Sequence, residues 1–156
     1  MIKTIVLTIS DTRTKDTDKS GEVILNLLKE RDFGIGGYEI IKDDKQQIKN
    51  RLFYYCDESG VDLILTNGGT GLGPRDVTPE ATVEVIEKNV PGISELIRSE
   101  GFKKTKQAIL SRSQAGVRKQ TLIINLPGSP KGARESLLSI LELIPHAIDM
   151  IKGKGH

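Results

Sequence analysis

The run Val61-Asp62-Leu63-Ile64-Leu65-Thr66 is apolar at nearly every position, as in a β-strand buried on both of its faces. Such a strand must be covered from above and below, which directs the chain toward a layered α/β arrangement. The neighbouring sequence supplies the layers. Residues 2–9 are a β-branched run that reads as a first strand. Val23, Ile24, Leu27 and Leu28 then recur at helical spacing, with Ser20 as the expected N-cap and an end near Gly34. Tyr38-Glu39-Ile40-Ile41 reads as a second strand. Asp43-Asp44 precedes a helical pattern of Ile48, Leu52, Phe53 and Cys56 that closes at Gly60.

Beyond the buried strand, Thr78-Pro79 opens a helix with Thr78 at the N-cap and Pro79 at the first helical position. Pro91-Gly92 opens the next. After a mixed loop around 111–116, Thr121-Leu122-Ile123-Ile124-Asn125-Leu126 is another strand. Pro127-Gly128-Ser129-Pro130 then turns into a last helix that Pro145 kinks or splits. Strands alternating with helices imply right-handed βαβ units. The expectation is an α/β chain forming one domain over residues 1–156, a three-layer αβα sandwich with a mainly parallel sheet.

Composition removes several function classes. Aromatic residues make up 4% of the chain and Trp is absent, which argues against a surface of stacked rings for single-stranded nucleic acid. A net charge of +2 is too small for a protein built on phosphate-backbone contacts, and Lys103, Lys104 and Lys106 read as a solvated helix end. The lone Cys56 cannot form an internal disulfide, which suits a reducing compartment; its setting favours a buried thiol over a nucleophile. The N-terminus reads as a strand rather than a signal peptide, and no apolar run approaches the ~18 residues of a membrane span. A cytoplasmic protein without nucleic-acid or membrane partners is expected. His146 and His156 receive no chemical role.

In open parallel sheets, ligands bind outside the carboxyl ends of the strands, where the strand order reverses. The segment Asn67-Gly68-Gly69-Thr70-Gly71-Leu72-Gly73-Pro74-Arg75-Asp76 leaves such an end. Four glycines in six positions let backbone amides approach an anion, and a strand–loop–helix turn makes a natural cradle for one. No Gly-Lys-Ser/Thr closes the loop, so it is not a P-loop, and Pro74 stands where a dinucleotide fingerprint would need its third glycine. Ser10-Asp11, Asp43-Asp44 and Pro127-Gly128-Ser129-Pro130 leave other strand ends with similar polar character.

Thr66-Asn67-Gly68-Gly69-Thr70-Gly71 followed by Arg75-Asp76-Val77-Thr78-Pro79-Glu80-Ala81-Thr82 resembles the signature of the molybdopterin-binding fold of MogA/MoaB-type proteins. Ile9-Ser10-Asp11, Ala108-Ile109-Leu110-Ser111-Arg112, Arg118-Lys119-Gln120 and Asn125-Leu126-Pro127-Gly128-Ser129-Pro130-Lys131 continue the resemblance in the family's order, from about residue 5 to 145. It implies a molybdopterin adenylyltransferase, in which AMP passes from ATP to the terminal phosphate of molybdopterin with Mg²⁺ and pyrophosphate is released. It also implies a homo-oligomer, usually a trimer with hexamers known, and a downstream protein that inserts the metal. A non-catalytic molybdopterin-binding scaffold of the MoaB branch is the alternative.

The resemblance implies that Asp43 and Asp76 are the catalytic carboxylates and hold Mg²⁺. It further implies substrate or nucleotide contacts at Ser10 and Asp11, at Asn67, Gly68, Gly69, Thr70 and Gly71, at Arg75 and Thr78, at Ser111 and Arg112, and at Pro127, Gly128 and Ser129. Most of these residues also have a plainer reading. Asp43 could be a helix N-cap and Asp11 the start of an Asx turn. Arg75 could neutralise Asp76, Ser111 and Arg112 could brace a subunit interface, and Ser129 could simply cap its helix. Lys42 is a departure, since the family often has Pro there.

Overall fold

Three parallel strands form the centre of the sheet because their sequences leave almost nothing polar to face water. They are β1 (Lys3–Ile9), β3 (Leu63–Asn67) and β6 (Thr121–Leu126), and all but Lys3 of their residues are buried. The computed structural model describes residues 1–154, so His156 lies outside the described residues. The remaining strands are β2 (Gly34–Ile41), β4 (Lys88–Asn89) and β5 (Ala115–Arg118), and the six-stranded order is β2-β1-β3-β6-β5-β4. β1 pairs in parallel with β2 and β3, and β3 with β6; β5 runs antiparallel to both β6 and β4. The order therefore reverses at β1, between β2 and β3, which is where a ligand crevice belongs.

The helices are α1 (Lys19–Glu30), α2 (Lys45–Phe53), α3 (Thr78–Val83), α4 (Pro91–Phe102), α5 (Pro130–Ile140) and α6 (Leu143–Ile151). The period-2 alternation of the strands sorts them into two layers. Val6, Leu63, Leu65, Leu122 and Ile124 face α1, α4, α5 and α6, where Ile24, Leu28, Leu137 and Ile144 complete one core. Ile5, Leu7, Ile64 and Ile123 face α2 and α3, meeting Ile48, Leu52 and Ala81 in the other. The expected three-layer α/β architecture is the one observed. Among the described residues no helix is long and apolar enough to cross a membrane.

Several local details differ from the sequence reading. β2 begins at Gly34 rather than Tyr38, because Gly34, Ile35 and Gly37 pair with β1, with Gly36 passed over at a register shift between Thr4 and Ile5. β4 and β5 have too few residues, two and four, to show a period. The last helix divides at Leu141–Glu142, ahead of Pro145, which sits within α6. Thr78 is the first residue of α3 rather than its cap, and Val77 precedes it without a side-chain cap bond. Cys56 lies in a single π-helical turn (Tyr54–Ser59) that follows α2; burial pushes its thiol up to about 11, which leaves it structural. His146 is exposed on α6.

The cap of α1 is Asp18, not Ser20. Asp18 is 2% exposed and accepts from the Gly21 amide at 3.0 Å, from Thr8 Oγ1 of β1 at 2.5 Å and from Tyr38 of β2 at 2.5 Å. Burial works against its charge, yet the hydrogen bonds from Thr8, Tyr38, Gly21 and Ser20 outweigh it and hold the carboxyl below its ordinary range. One side chain thus ties two strands to a helix start. Replacing Asp18 by Ala is expected to cost about 3 kcal/mol, since bonds to a charged acceptor are the strong ones, read as a lower midpoint in urea. Because the folded-state value is depressed, this stabilisation is complete above the ordinary value of 3.8 and is lost as pH falls below it. The difference in stability between wild type and Asp18→Asn should therefore shrink on acidification.

Candidate active site

At the exit of β3 the backbone turns in a way that only glycine allows. Gly68 has φ +98° and Gly69 φ +70°. A Cβ on Gly68 would stand 2.3 Å from the carbonyl oxygen of Ile9, and one on Gly69 2.3 Å from Thr78 Oγ1. Both turns are latched: the Gly68 amide donates to Leu126 O, Thr78 Oγ1 donates to Gly68 O at 2.9 Å, and the Thr78 amide donates to Gly69 O. Gly71 and Gly73 do not have positive φ. Their missing side chains instead make room for the Asp76 carboxylate, whose Oδ2 accepts from the Gly73 amide at 2.9 Å.

Arg112 closes the loop from outside. Its Nε donates to Gly71 O at 2.9 Å and Nη2 to Asp76 O at 2.8 Å, while Nη1 pairs with Glu80. The Arg112 guanidinium holds the Glu80 carboxyl below its ordinary value. Arg112 therefore fixes the shape of the glycine loop rather than presenting a free charge. Asn67 and Thr78 also turn inward. Both are fully buried, with Asn67 donating to Thr8 Oγ1 and accepting from Ser20 Oγ, so their side chains support the loop and do not reach the cleft.

The adjacent aspartates after β2 divide two tasks. Asp44 caps α2, accepting from the Gln47 amide at 2.9 Å, which leaves the Asp43 side chain outside the capping role. Asp43 Oδ1 lies 3.2 Å from where a Cβ on Gly69 would be, so its carboxylate rests against the glycine loop. Burial, then the negative charges of Asp11 and Asp76, push its carboxyl above the ordinary range. Asp11 bridges the two loops: it accepts from the Asp43 amide at 3.1 Å and takes a two-pronged pair from Arg75 at 3.0 and 3.1 Å. Arg75 therefore neutralises Asp11, not Asp76. The charge of Lys42 also bears on Asp11.

The glycine loop borders a cleft of about 600 Å³, whose lining includes Asp76 but not Asp11, Asp43 or Arg75. One wall is the glycine loop with Thr70 and Asp76; another is Pro127, Gly128 and Ser129 with Lys131 at the start of α5; the third is the 105–111 segment with Ser111. Ser129 caps α5, its Oγ accepting from the Gly132 amide at 3.0 Å. Ser10 does not line the cleft; its Oγ receives the amides of Thr12 and Arg13. Lys131 and Arg13 are absent from the sequence-derived set. The turn motif gave a signal for Lys131; nothing in the sequence singled out Arg13. Among the described residues, no three carboxylates, histidines or cysteines converge to hold a metal unaided.

A glycine loop, a helix start and a carboxylate lining one cleft outside the carboxyl ends of β3 and β6 have the make-up of a site for a phosphate-bearing ligand. Residues 5–146 match the family described as probable molybdopterin binding domain, and the chain belongs to that family. It is 44% identical to a molybdopterin adenylyltransferase of Helicobacter pylori, over 95% of this chain and 86% of that one. Its backbone is similar to the molybdopterin biosynthesis enzyme MoaB of Thermus thermophilus, with a TM-score of 0.91, 48% identity and coverage of 99% and 98%. It is also similar to a tungsten cofactor synthesizing MoaB of Pyrococcus furiosus, at TM-score 0.84, 29% identity and coverage of 99% and 98%.

The loop geometry makes a direct prediction. A Gly68→Ala change meets backbone, which cannot swing aside as a side chain could, and adds the strain of positive φ. It is expected to cost about 3 kcal/mol or more, measured by urea unfolding.

Proposed function

We propose that this chain is a molybdopterin adenylyltransferase, working as one domain, that moves AMP from ATP onto the terminal phosphate of molybdopterin. The observation that carries the reading is the pair Asp43 and Asp76 set against one glycine loop, in a chain of the molybdopterin-binding family. In the reaction an oxygen of the pterin phosphate forms a bond to the α-phosphorus of ATP. The bond from that phosphorus to the bridging oxygen breaks, and pyrophosphate leaves with the electron pair. A phosphate monoester has a second pKa of about 6, so the nucleophile is already anionic at neutral pH and needs no general base. The task of the protein is alignment and charge stabilisation.

The residues suit that task. Gly69, Thr70 and Gly71 line the cleft, together with the Ser129 turn and Lys131 of α5, and loop amides there suit phosphate oxygens. Ser111 adds a hydroxyl from the third wall. Arg75 is exposed and bound only to Asp11 among the described residues, so it can exchange that partner for a phosphate. Gly68, Asn67, Thr78 and Arg112 act by holding the loop, and Ser10 and Asp11 by joining the first loop to the second and third.

Mg²⁺ fits the acidic pair. The ion takes one or two carboxylates and completes its shell with water and substrate phosphates. Burial first, and then the charges of Asp11 and Asp76, raise the Asp43 carboxyl; a divalent cation relieves the repulsive part. Asp43 and Asp76 would hold it, and the ion would supply positive charge to the phosphate oxygens. The lone cysteine suits a cytoplasmic setting, and the resemblance further carries a trimeric or hexameric assembly and transfer of the product to a metal-inserting protein.

Purified protein mixed with molybdopterin, ATP and Mg²⁺ should release pyrophosphate in step with adenylyl-molybdopterin. Binding of molybdopterin without pyrophosphate release would replace this reading with the scaffold alternative. Asp76→Ala should lower kcat by about 100-fold or more while pterin binding persists; unchanged turnover would remove Asp76 from the mechanism. Asp43→Asn should behave alike, whereas Asp44→Asn should leave turnover near wild type and affect only the start of α2.

A further inference from the structure

We infer that Arg13 is a positioning residue that sets the direction of the Ser129 amide in the cleft wall. Arg13 lies in the loop after β1, on no regular element, yet its guanidinium is committed at both ends. Nη1 donates to Ser20 Oγ at 2.9 Å and stands 3.8 Å from Asp18 Oδ1; Nη2 donates to Gly128 O at 2.8 Å. Its own backbone amide is fixed on Ser10 Oγ at 3.0 Å. The inner anchor is rigid, because Ser20 also donates to Asn67 Oδ1 at 2.7 Å and Asp18 holds Thr8 and Tyr38. One side chain thus joins the buried base of α1 to the turn leading into α5.

The consequence follows from peptide geometry. A peptide unit is planar, and in the trans form its N–H points opposite to its C=O; no cis bond occurs among the described residues. Holding Gly128 O on Arg13 therefore turns the Ser129 N–H away from Arg13. Among the described residues that N–H has no acceptor within the protein, although Gly128 and Ser129 both line the cleft. Gly128 cannot hold this plane by itself. It has no side chain, and a Cβ there would stand 3.2 Å from the Cα of Gly68. Without the guanidinium, the Gly128 carbonyl loses the side-chain donor that holds it, and a donor that should be oriented in advance must be ordered in part by the substrate.

The inference rests on the adenylyl-transfer reading of the cleft for its kinetic arm and on geometry alone for its second arm. Arg13→Ala and Arg13→Met, the latter keeping an apolar stem, should raise KM for one phosphate-bearing substrate about tenfold with kcat within about twofold. Millimolar guanidinium should restore much of the loss in Arg13→Ala. Arg13→Lys should not, because one ammonium replaces two separately directed donors. An unchanged KM, or a loss that guanidinium does not touch, overturns the inference. If the wild type itself releases no pyrophosphate, the adenylyl-transfer reading fails, and the clamp is then judged by NMR. Backbone order parameters at Gly128 and Ser129 should fall from about 0.85 toward 0.6 in Arg13→Met, and unchanged values overturn the clamp.

Discussion

The site depends on a close approach of two main chains, where Gly68 leaves β3 against the carbonyl of Ile9 at the end of β1. A second glycine, Gly128 after β6, meets the same Gly68 from the other side. Three strand ends are thereby drawn together with no side chain between them. Where the glycine loop meets the turn after β6, this pinch leaves no room for Cβ atoms. The polar side chains nearby then serve the pinch: Thr78 latches its carbonyl, Arg112 its outer edge, and Asn67 the strand residue before it.

Two buried asparagines brace opposite faces of the same sheet end. Asn67 on β3 reaches Thr8 and Ser20 beneath α1. Asn125 on β6 donates to Thr66 and Thr82 beneath α3 and accepts from the Gln114 amide at 3.0 Å. A buried amide left without partners would lose about 1–3 kcal/mol, so each asparagine tolerates little change in its surroundings. The two layers are locked to the sheet at the end that carries the chemistry. Elsewhere they meet it through apolar packing, which is less directional.

Much of this was legible in the sequence, and the residues that were not share a cause. The buried run at 61–66 announced layers on both faces, and the alternation of strands and helices announced the parallel centre. The glycine loop, Asp76 and the Ser129 turn were visible because their residue types are unusual and adjacent. Asp18 and Arg13 were not, since each acts through partners distant in sequence: Tyr38 in one case and Gly128 in the other. A single polar residue in the stretch 10–20 looks like loop until those partners are known. Arg75 was visible as a charge, but its choice of Asp11 over the neighbouring Asp76 is set by how two loops meet. The short strands β4 and β5 contain too few residues for any periodicity.

The reversal at β5 changes the economy of the sheet. A purely parallel sheet returns to its working edge once per strand, always by an outgoing chain, after a helix has carried the chain back. β5 runs the other way, with Ala115 beside Ile124 near the outgoing end of β6, so the chain reaches that edge while entering a strand. Residues 111–114 arrive there by this inbound route, bringing Ser111 to the cleft and Arg112 to the glycine loop. Five outgoing passages, after β1, β2, β3, β4 and β6, are thus joined by a sixth arriving from outside. A single antiparallel strand gives a chain of 156 residues one more set of functional groups at its edge than the parallel strands alone would deliver.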